Sequence, residues 1–238
     1  MSEFVLTNGK LYLGGYDLSG QINSIAADLS VETPETTAMG VAAKQRLPGL
    51  KDAKISLNGF FSEEQILFTA TGAVVSSAMT IAPTGADNET CWFFKPAMAK
   101  YSYGGKIGDV TSYKVEGEGA GPFVQGTILL PSLQRTETGT GVPRELGAGS
   151  AVKTIYGVLH VFAATPGPDT IDVIVQSDAL ATFLSPTDVI TFAQRTTVGH
   201  EWKTAAGTVS GADTWWRISY AIGGGSPAFT FAVVVGIL

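Results

Sequence analysis

Three short stretches of this 238-residue chain alternate apolar and polar side chains with a period of two, and that alternation restricts the fold more than any other feature. In ADLSVE, Asp28, Ser30 and Glu32 point one way while Leu29 and Val31 point the other. In KISLNGFF, Lys54, Ser56 and Asn58 oppose Ile55 and Leu57. In SYKVEGEGAG, Lys114, Glu116 and Glu118 oppose Tyr113 and Val115. A helix would scatter each set around its circumference, whereas a strand sorts it into a wet face and a dry face. With 29 glycines and 11 prolines and no long run of helix formers, the chain is punctuated into many short strands.

The opening LYLGGYDLSGQINSIAADLSVE, residues 11–32, reads as a strand, a glycine-pair turn, an Asx-type turn and a second alternating strand. GGYDLSG is thus expected to turn the chain between the first two strands of a sheet. One helix is predicted, over SEEQILFTATGA at 62–73. Ser62 serves as N-cap, Glu63 and Glu64 complement the helix dipole, Ile66, Leu67 and Ala70 form the apolar stripe, and Gly72 ends it. RTETGTGVPRELGAGSA has no apolar period and reads as a linker. Beyond it the strands resume, and FTFAVVVGIL at 229–238, about half the roughly 20 residues a membrane helix needs, reads as a buried strand. No membrane segment is expected. The expected fold class is all-β with one short helix: a sandwich or barrel domain over 1–140, a linker over 141–152, and a second β-sandwich or jelly roll over 153–238.

Composition removes several functions. The chain is 45% apolar and 15% charged, enough for one large core or two small ones. Its 15 basic against 21 acidic residues give a net charge of −6, which argues against a groove that grips nucleic-acid phosphate but not against a surface past which nucleic acid slides. The single cysteine, Cys91, excludes an internal disulfide framework and fits a reducing cytoplasm. MSEFVLTNGK has neither the basic nor the apolar region of a secretory signal, so the chain is expected to stay where it is made.

Neither histidine sits in a catalytic pattern. His160 lies within the apolar run VLHVF and reads as a partly buried, hydrogen-bonded imidazole. His200–Glu201 has Thr204 where a zinc-protease helix needs its second histidine. No G-x-S-x-G occurs, and GEGAG at 117–121, with no Lys-Ser/Thr after it, reads as a bulge or turn. No catalytic residue, metal or cofactor is expected. In TWWRISY, alternation sends Trp216, Ile218 and Tyr220 to the core and leaves Trp215 with Arg217 as the one candidate platform for a glycan.

The stretches across 3–61, FVLTNGKLYLGGYDLSGQINSIAADLSVETPETTAMG and RLPGLKDAKISLNGFF, are followed in order by APTGADN, CWFFKPAMAKYSYGGKIGDVTSYKVEGEGAGP and GTILLP. Over about the first 140 residues this succession resembles the tail tube (major tail) proteins of long-tailed bacteriophages, and residues 150–238 resemble a β-sandwich appendage of phage structural proteins. The resemblance implies a non-enzymatic virion protein, made in the host bacterial cytoplasm, that forms homo-oligomeric (hexameric) stacked rings as the tail tube. It would meet other virion proteins, pass DNA without specific binding and touch no membrane, while a host glycan at the C-terminal domain is the partner that the Trp215 and Arg217 platform, not the resemblance, would take.

In such a tube, Asp28, Ser30, Glu32, Lys54, Ser56, Asn58, Lys114, Glu116 and Glu118 are the candidate lumen lining. ETPETTAMGVAAKQRLPG at 32–49 is too long and polar for a tight hairpin; it is expected to be an assembly arm, with Thr36, Thr37, Met39, Lys44 and Arg46 as its contact candidates. Two alternatives stay open: a capsid decoration or cement protein, and a carbohydrate-binding adhesion module carried by the C-terminal domain.

Overall fold

The structure, a computed structural model, describes residues 8–33, 35, 51–60, 77–149, 153–206 and 209–238. The predicted helix at 62–73 and the arm candidates Thr36, Thr37, Met39, Lys44 and Arg46 lie outside the described residues. Within them the chain forms strands β1 (Lys10–Leu13), β2 (Tyr16–Asp17), β3 (Ile22–Val31), β4 (Lys51–Phe60), β5 (Met79–Ala82), β6 (Thr90–Phe94), β7 (Pro96–Gly104) and β8 (Ser112–Gly119). These are followed by β9 (Val124–Arg135), β10 (Gly139–Thr140), β11 (Arg144–Glu145), β12 (Thr154–Ala164), β13 (Thr170–Asp178), β14 (Thr187–Thr191), β15 (Gly199–Ala206), β16 (Trp215–Gly223) and β17 (Phe229–Ile237). The all-β class read from the alternation is the class observed.

Two compact units divide the chain, one made of Met1–Gly20, Ser77–Phe93 and Val124–Leu238, the other of Gln21–Ser76 and Phe94–Phe123. The first is a sandwich. Its larger sheet runs β15-β12-β17-β9-β6-β5-β1-β2, and its smaller one β10-β16-β13-β14, with β11 also on β16. Leu129, Leu159 and Val233 from the larger sheet share one core with Val173, Trp216 and Ile218 from the smaller. A second core gathers Cys91, Phe93, Ile128, Val158 and Val234. Alternate residues of β12 and β17 thus enter different cores, so both faces of these strands are buried. That is why β17 reads as an almost continuous apolar run.

This division differs from the one expected at 141–152. β9 pairs with β17, so one sheet carries strands from both sides of that boundary. The stretch taken for a linker is held to β16, through Gly139↔Tyr220 and Thr140↔Ser219 and then Arg144↔Trp216 and Glu145↔Trp215. Two-residue strands leave no period to read, and Gly and Thr there conceal a sheet edge.

The glycine pair closes a hairpin, with Leu13 opposite Tyr16 and Gly14 at φ +59°. An added Cβ at Gly15 would stand 2.7 Å from the Gly199 backbone, so the second glycine admits a close approach. The Asx turn is present: Asp17 Oδ1 accepts the Ser19 N–H at 3.0 Å, while Ser19 Oγ accepts the Leu11 N–H at 3.1 Å. GGYDLSG thus turns β1 onto the two-residue β2, but the alternating strand expected as its partner, β3, belongs to the other sheet: after the hairpin the chain passes at Gly20 into the second unit.

His160 is hydrogen-bonded as its apolar setting implied, and is fully rather than partly buried. The Gly14 carbonyl can only accept, so Nδ1 carries the proton and donates at 2.6 Å, leaving Nε2 to accept from Thr80 Oγ1 at 2.9 Å. Burial pushes its pKa down to about 4 against the opposing pull of the Gly14 bond.

Candidate assembly face

The second unit is a four-stranded antiparallel sheet in the order β3-β4-β8-β7. Register brings together what the sequence offered in three separate stretches. Asp28 lies opposite Lys54, and Lys54 opposite Glu118. The next row runs from Ser56 to Glu116 to Lys100, and the one beyond from Asn58 to Lys114 to Ser102. Ser30 lies opposite Asp52, and Glu32 follows the end of β3 in exposed chain. On this face Asp28, Lys54, Ser56, Lys100, Glu116 and Glu118 line a hollow of about 420 Å³.

Charges of both signs are interleaved across it. Glu116 receives Lys114 Nζ at 2.6 Å and Lys100 Nζ at 3.8 Å, and Lys54 stands 4.0 Å from Asp52. The hydrogen bond from Lys114 holds the Glu116 carboxyl below its ordinary range, with the charges of Lys114 and Lys100 adding to it. Three lysines meet four carboxylates: Asp28, Asp52, Glu116 and Glu118. The face is highly polar and carries no basic patch. Lys100 and Asp52 were not among the residues expected here. Lys100 follows a register shift between Met98 and Lys100, which breaks the alternation by which β7 could have been read.

The opposite face is apolar and unevenly covered. Ile55, Leu57 and Val115 on the two central strands are buried, and so is Tyr113, whose burial pushes its hydroxyl up to about 12. Gly59, opposite Tyr113, makes room for that ring: a Cβ there would meet Gln21 O at 2.3 Å and Tyr113 Oη at 2.5 Å. At the edges the covering ends. Leu29 is 49% and Val31 40% exposed on β3, and Tyr103 is 68% exposed on β7. The reading of ADLSVE as wet on one side only is therefore corrected, because both faces of that strand meet solvent. An edge strand has a neighbour on one side only to shield its apolar side chains.

In the sandwich unit, Trp216 and Ile218 are fully buried and Tyr220 packs against the same core. Trp215 and Arg217 are each partly exposed. Arg217 is engaged: Nε donates to Gln176 Oε1 at 2.9 Å, and the guanidinium lies 4.3 Å from the centre of the Phe183 ring. Phe183 reaches that position with φ +51°, in a loop whose ends are tied to Asp178 by the N–H groups of Leu180 and Ser185, each at 3.0 Å. Those backbone bonds hold the Asp178 carboxyl below its ordinary range. Nothing in the local sequence signalled this cover over Arg217. Among the described residues, no group of three or more His, Cys, Asp and Glu side chains could hold a metal ion, and no helix is long and apolar enough to cross a membrane.

No family model and no curated protein matches the chain. Among solved structures it is similar to a chain in the virion of a native gene transfer agent particle, at 19% identity over 49% of this chain and 93% of the other, with a TM-score of 0.40. A chain of the sheath–tube complex of an extracellular contractile injection system in its extended state matches at 16% identity, 52% and 92% coverage and TM-score 0.45. The Dit protein of SPP1, described as a hub of the adsorption apparatus in phages infecting Gram-positive bacteria, matches at 10% identity, 97% and 99% coverage and TM-score 0.39.

Proposed function

We propose that this chain is a structural component of a phage tail that joins copies of itself into stacked rings, with the polar face of the four-stranded sheet lining the bore. The observation that carries the reading is the gathering of Asp28, Ser30, Lys54, Ser56, Asn58, Lys114, Glu116 and Glu118 on one face of one sheet. DNA moving along such a wall meets hydroxyls, amides and charges of both signs, with one more carboxylate than lysine. It finds no run of cations whose contacts would release counterions and hold it. A structural rather than catalytic role belongs to the same reading. Within it, the segment around Thr36, Thr37, Met39, Lys44 and Arg46 is an arm that reaches a neighbouring subunit.

Negative-stain electron microscopy and mass photometry on one purified sample test the proposal. Stacked hollow rings are expected; monomers or compact trimers that never stack would overturn it in favour of a decoration protein. Deleting 36–46 should leave a folded monomer that no longer polymerises, and tubes of normal length from that deletion would remove the arm from the reading. A glycan platform at Trp215 and Arg217 has less support, because Phe183 and Gln176 already engage the guanidinium.

A further inference from the structure

The chain contains four asparagines, and two of them, Asn8 and Asn58, are followed by glycine. The amide nitrogen of the next residue is the nearest nucleophile to an asparagine side-chain carbonyl carbon, and glycine has no Cβ to block the approach and turns most freely toward it. The two sites share this local chemistry and differ in what the fold supplies. Asn8 is exposed, in a bend two residues before β1 begins at Lys10, and Gly9 belongs to no strand. Asn58 and Gly59 lie in β4, which is paired there on both sides. Asn58 faces Ser24 on β3 and Lys114 on β8, and Gly59 faces Ile22 and Tyr113. The extended backbone holds the Gly59 nitrogen turned away from the Asn58 side chain, and the two ladders oppose its turning back. Room to swing is also missing: Gln21 O and the Tyr113 ring carbon Cζ lie 2.3 Å and 2.6 Å from where a Gly59 Cβ would stand. Asn23 and Asn88 precede Ser24 and Glu89, whose side chains hinder the attack.

We infer that Asn8–Gly9 is a site of spontaneous covalent modification, deamidation through a cyclic imide, and that the fold protects the identical dipeptide at Asn58–Gly59. In the first step the Gly9 nitrogen bonds to Asn8 Cγ, the Cγ–Nδ2 bond breaks, and ammonia leaves with the proton that Gly9 gives up. Water then adds to either carbonyl of the imide. Opening on one side leaves aspartate; opening on the other leaves isoaspartate, with the main chain routed through Cβ. Nothing is oxidised or reduced, and water is the one co-reactant. Either product adds a negative charge two residues from Lys10. Isoaspartate also lengthens the main chain by one carbon just before Lys10 meets Ala82, the first pair of the β1–β5 ladder. The site stands independently of the ring reading above, because it rests on one chain alone.

The test holds the folded full chain in mildly alkaline buffer made with heavy-oxygen water and follows its peptides by mass spectrometry over time, beside a sample unfolded in guanidinium chloride. In the folded chain Asn8 should take up the label, as a mixture of aspartate and isoaspartate, at least about 100-fold faster than Asn58, because the second site must wait for local opening of β4. In the unfolded chain the two rates should converge. Asn8→Gln should remove the more acidic species that ion exchange resolves in the aged wild type, with an unchanged circular dichroism spectrum. Labelling of Asn8 no faster than that of Asn88 would overturn the site. Equal labelling of Asn8 and Asn58 in the folded chain would overturn the protection, and so would an Asn58 that stays slow once the chain is unfolded, since the fold would then not be its cause.

Discussion

The sandwich and the four-stranded sheet solve the same problem to different degrees. In the sandwich, β12 and β17 are buried on both faces and the larger sheet ends at one side on β2, only two residues long. Its other edge, β15, carries Glu201 and Lys203, paired at 3.2 Å, with Arg195 3.7 Å from the same carboxylate. Short strands and charges are the ordinary means of keeping an edge from pairing with a stranger. The four-stranded sheet has long edge strands instead, each with a single charge, and apolar side chains left open beside them. Among the described residues, the sandwich thus covers its edges with short or charged strands, and the four-stranded sheet, which the proposed reading places against other copies, does not.

The largest effect should come from the sandwich core. Trp216 is fully buried and its Nε1 donates to Gly147 O at 3.0 Å, so Trp216→Ala should cost about 3–5 kcal/mol in urea unfolding. A loss under about 1 kcal/mol, the level of an ordinary surface change, would break the contrast from the sandwich side.

Next in size is the buried imidazole. The unfolded chain protonates His160 at its ordinary value of 6.5, whereas the folded protein holds it at about 4. Between those values the unfolded state binds more protons. Stability therefore falls as pH drops through 6.5 and stops falling on this account below about 4, a loss of about 3 kcal/mol in all. Melting temperatures of the wild type and His160→Leu on both sides of that window check it: the wild type should lose more on acidification, and parallel losses would contradict the assignment.

Within the four-stranded sheet, Gly59→Ala drives a methyl into Gln21 O and the Tyr113 hydroxyl and should cost about 1–3 kcal/mol by thermal unfolding. An unchanged melting temperature would mean that the Tyr113 ring moves aside without cost. The smallest effect on folding belongs to Leu29→Ser, within about 0.5 kcal/mol because the side chain is already half in water. That substitution sharpens the comparison if ring formation weakens while monomer stability holds; a large loss of monomer stability would instead place Leu29 in a finished core.

The parts of this fold legible in the sequence are those in which a single strand has two different faces. Lys54, Ser56 and Asn58 against Ile55 and Leu57, and Lys114, Glu116 and Glu118 against Tyr113 and Val115, needed only a period of two. His160 was legible because a lone polar ring in an apolar run has few ways to be satisfied other than neighbouring hydrogen-bonding groups. What was not legible depends on partners far along the chain. The pairing of β9 with β17 joins Leu130 to Val233, and no local pattern announces such a match. Lys100 was hidden by a register shift, β10 and β11 by their brevity, and the cover on Arg217 by a backbone conformation at Phe183 that L-residues seldom adopt.

The placement of β17 between β12 and β9 also sets a schedule. A polypeptide leaves the ribosome N-terminus first, and β3, β4, β7 and β8 have all emerged by Gly119. β9 follows at once, yet Ile128 and Leu130 wait for their β17 partners, Val234 and Val233, until the residues after Phe229 have been synthesised. During that interval a nascent chain already holds every strand of the four-stranded sheet, while its sandwich stands open. Nascent chains crowded on one messenger would meet in that state, so the rate of translation between Arg135 and Phe229 governs how long premature association can compete with correct folding.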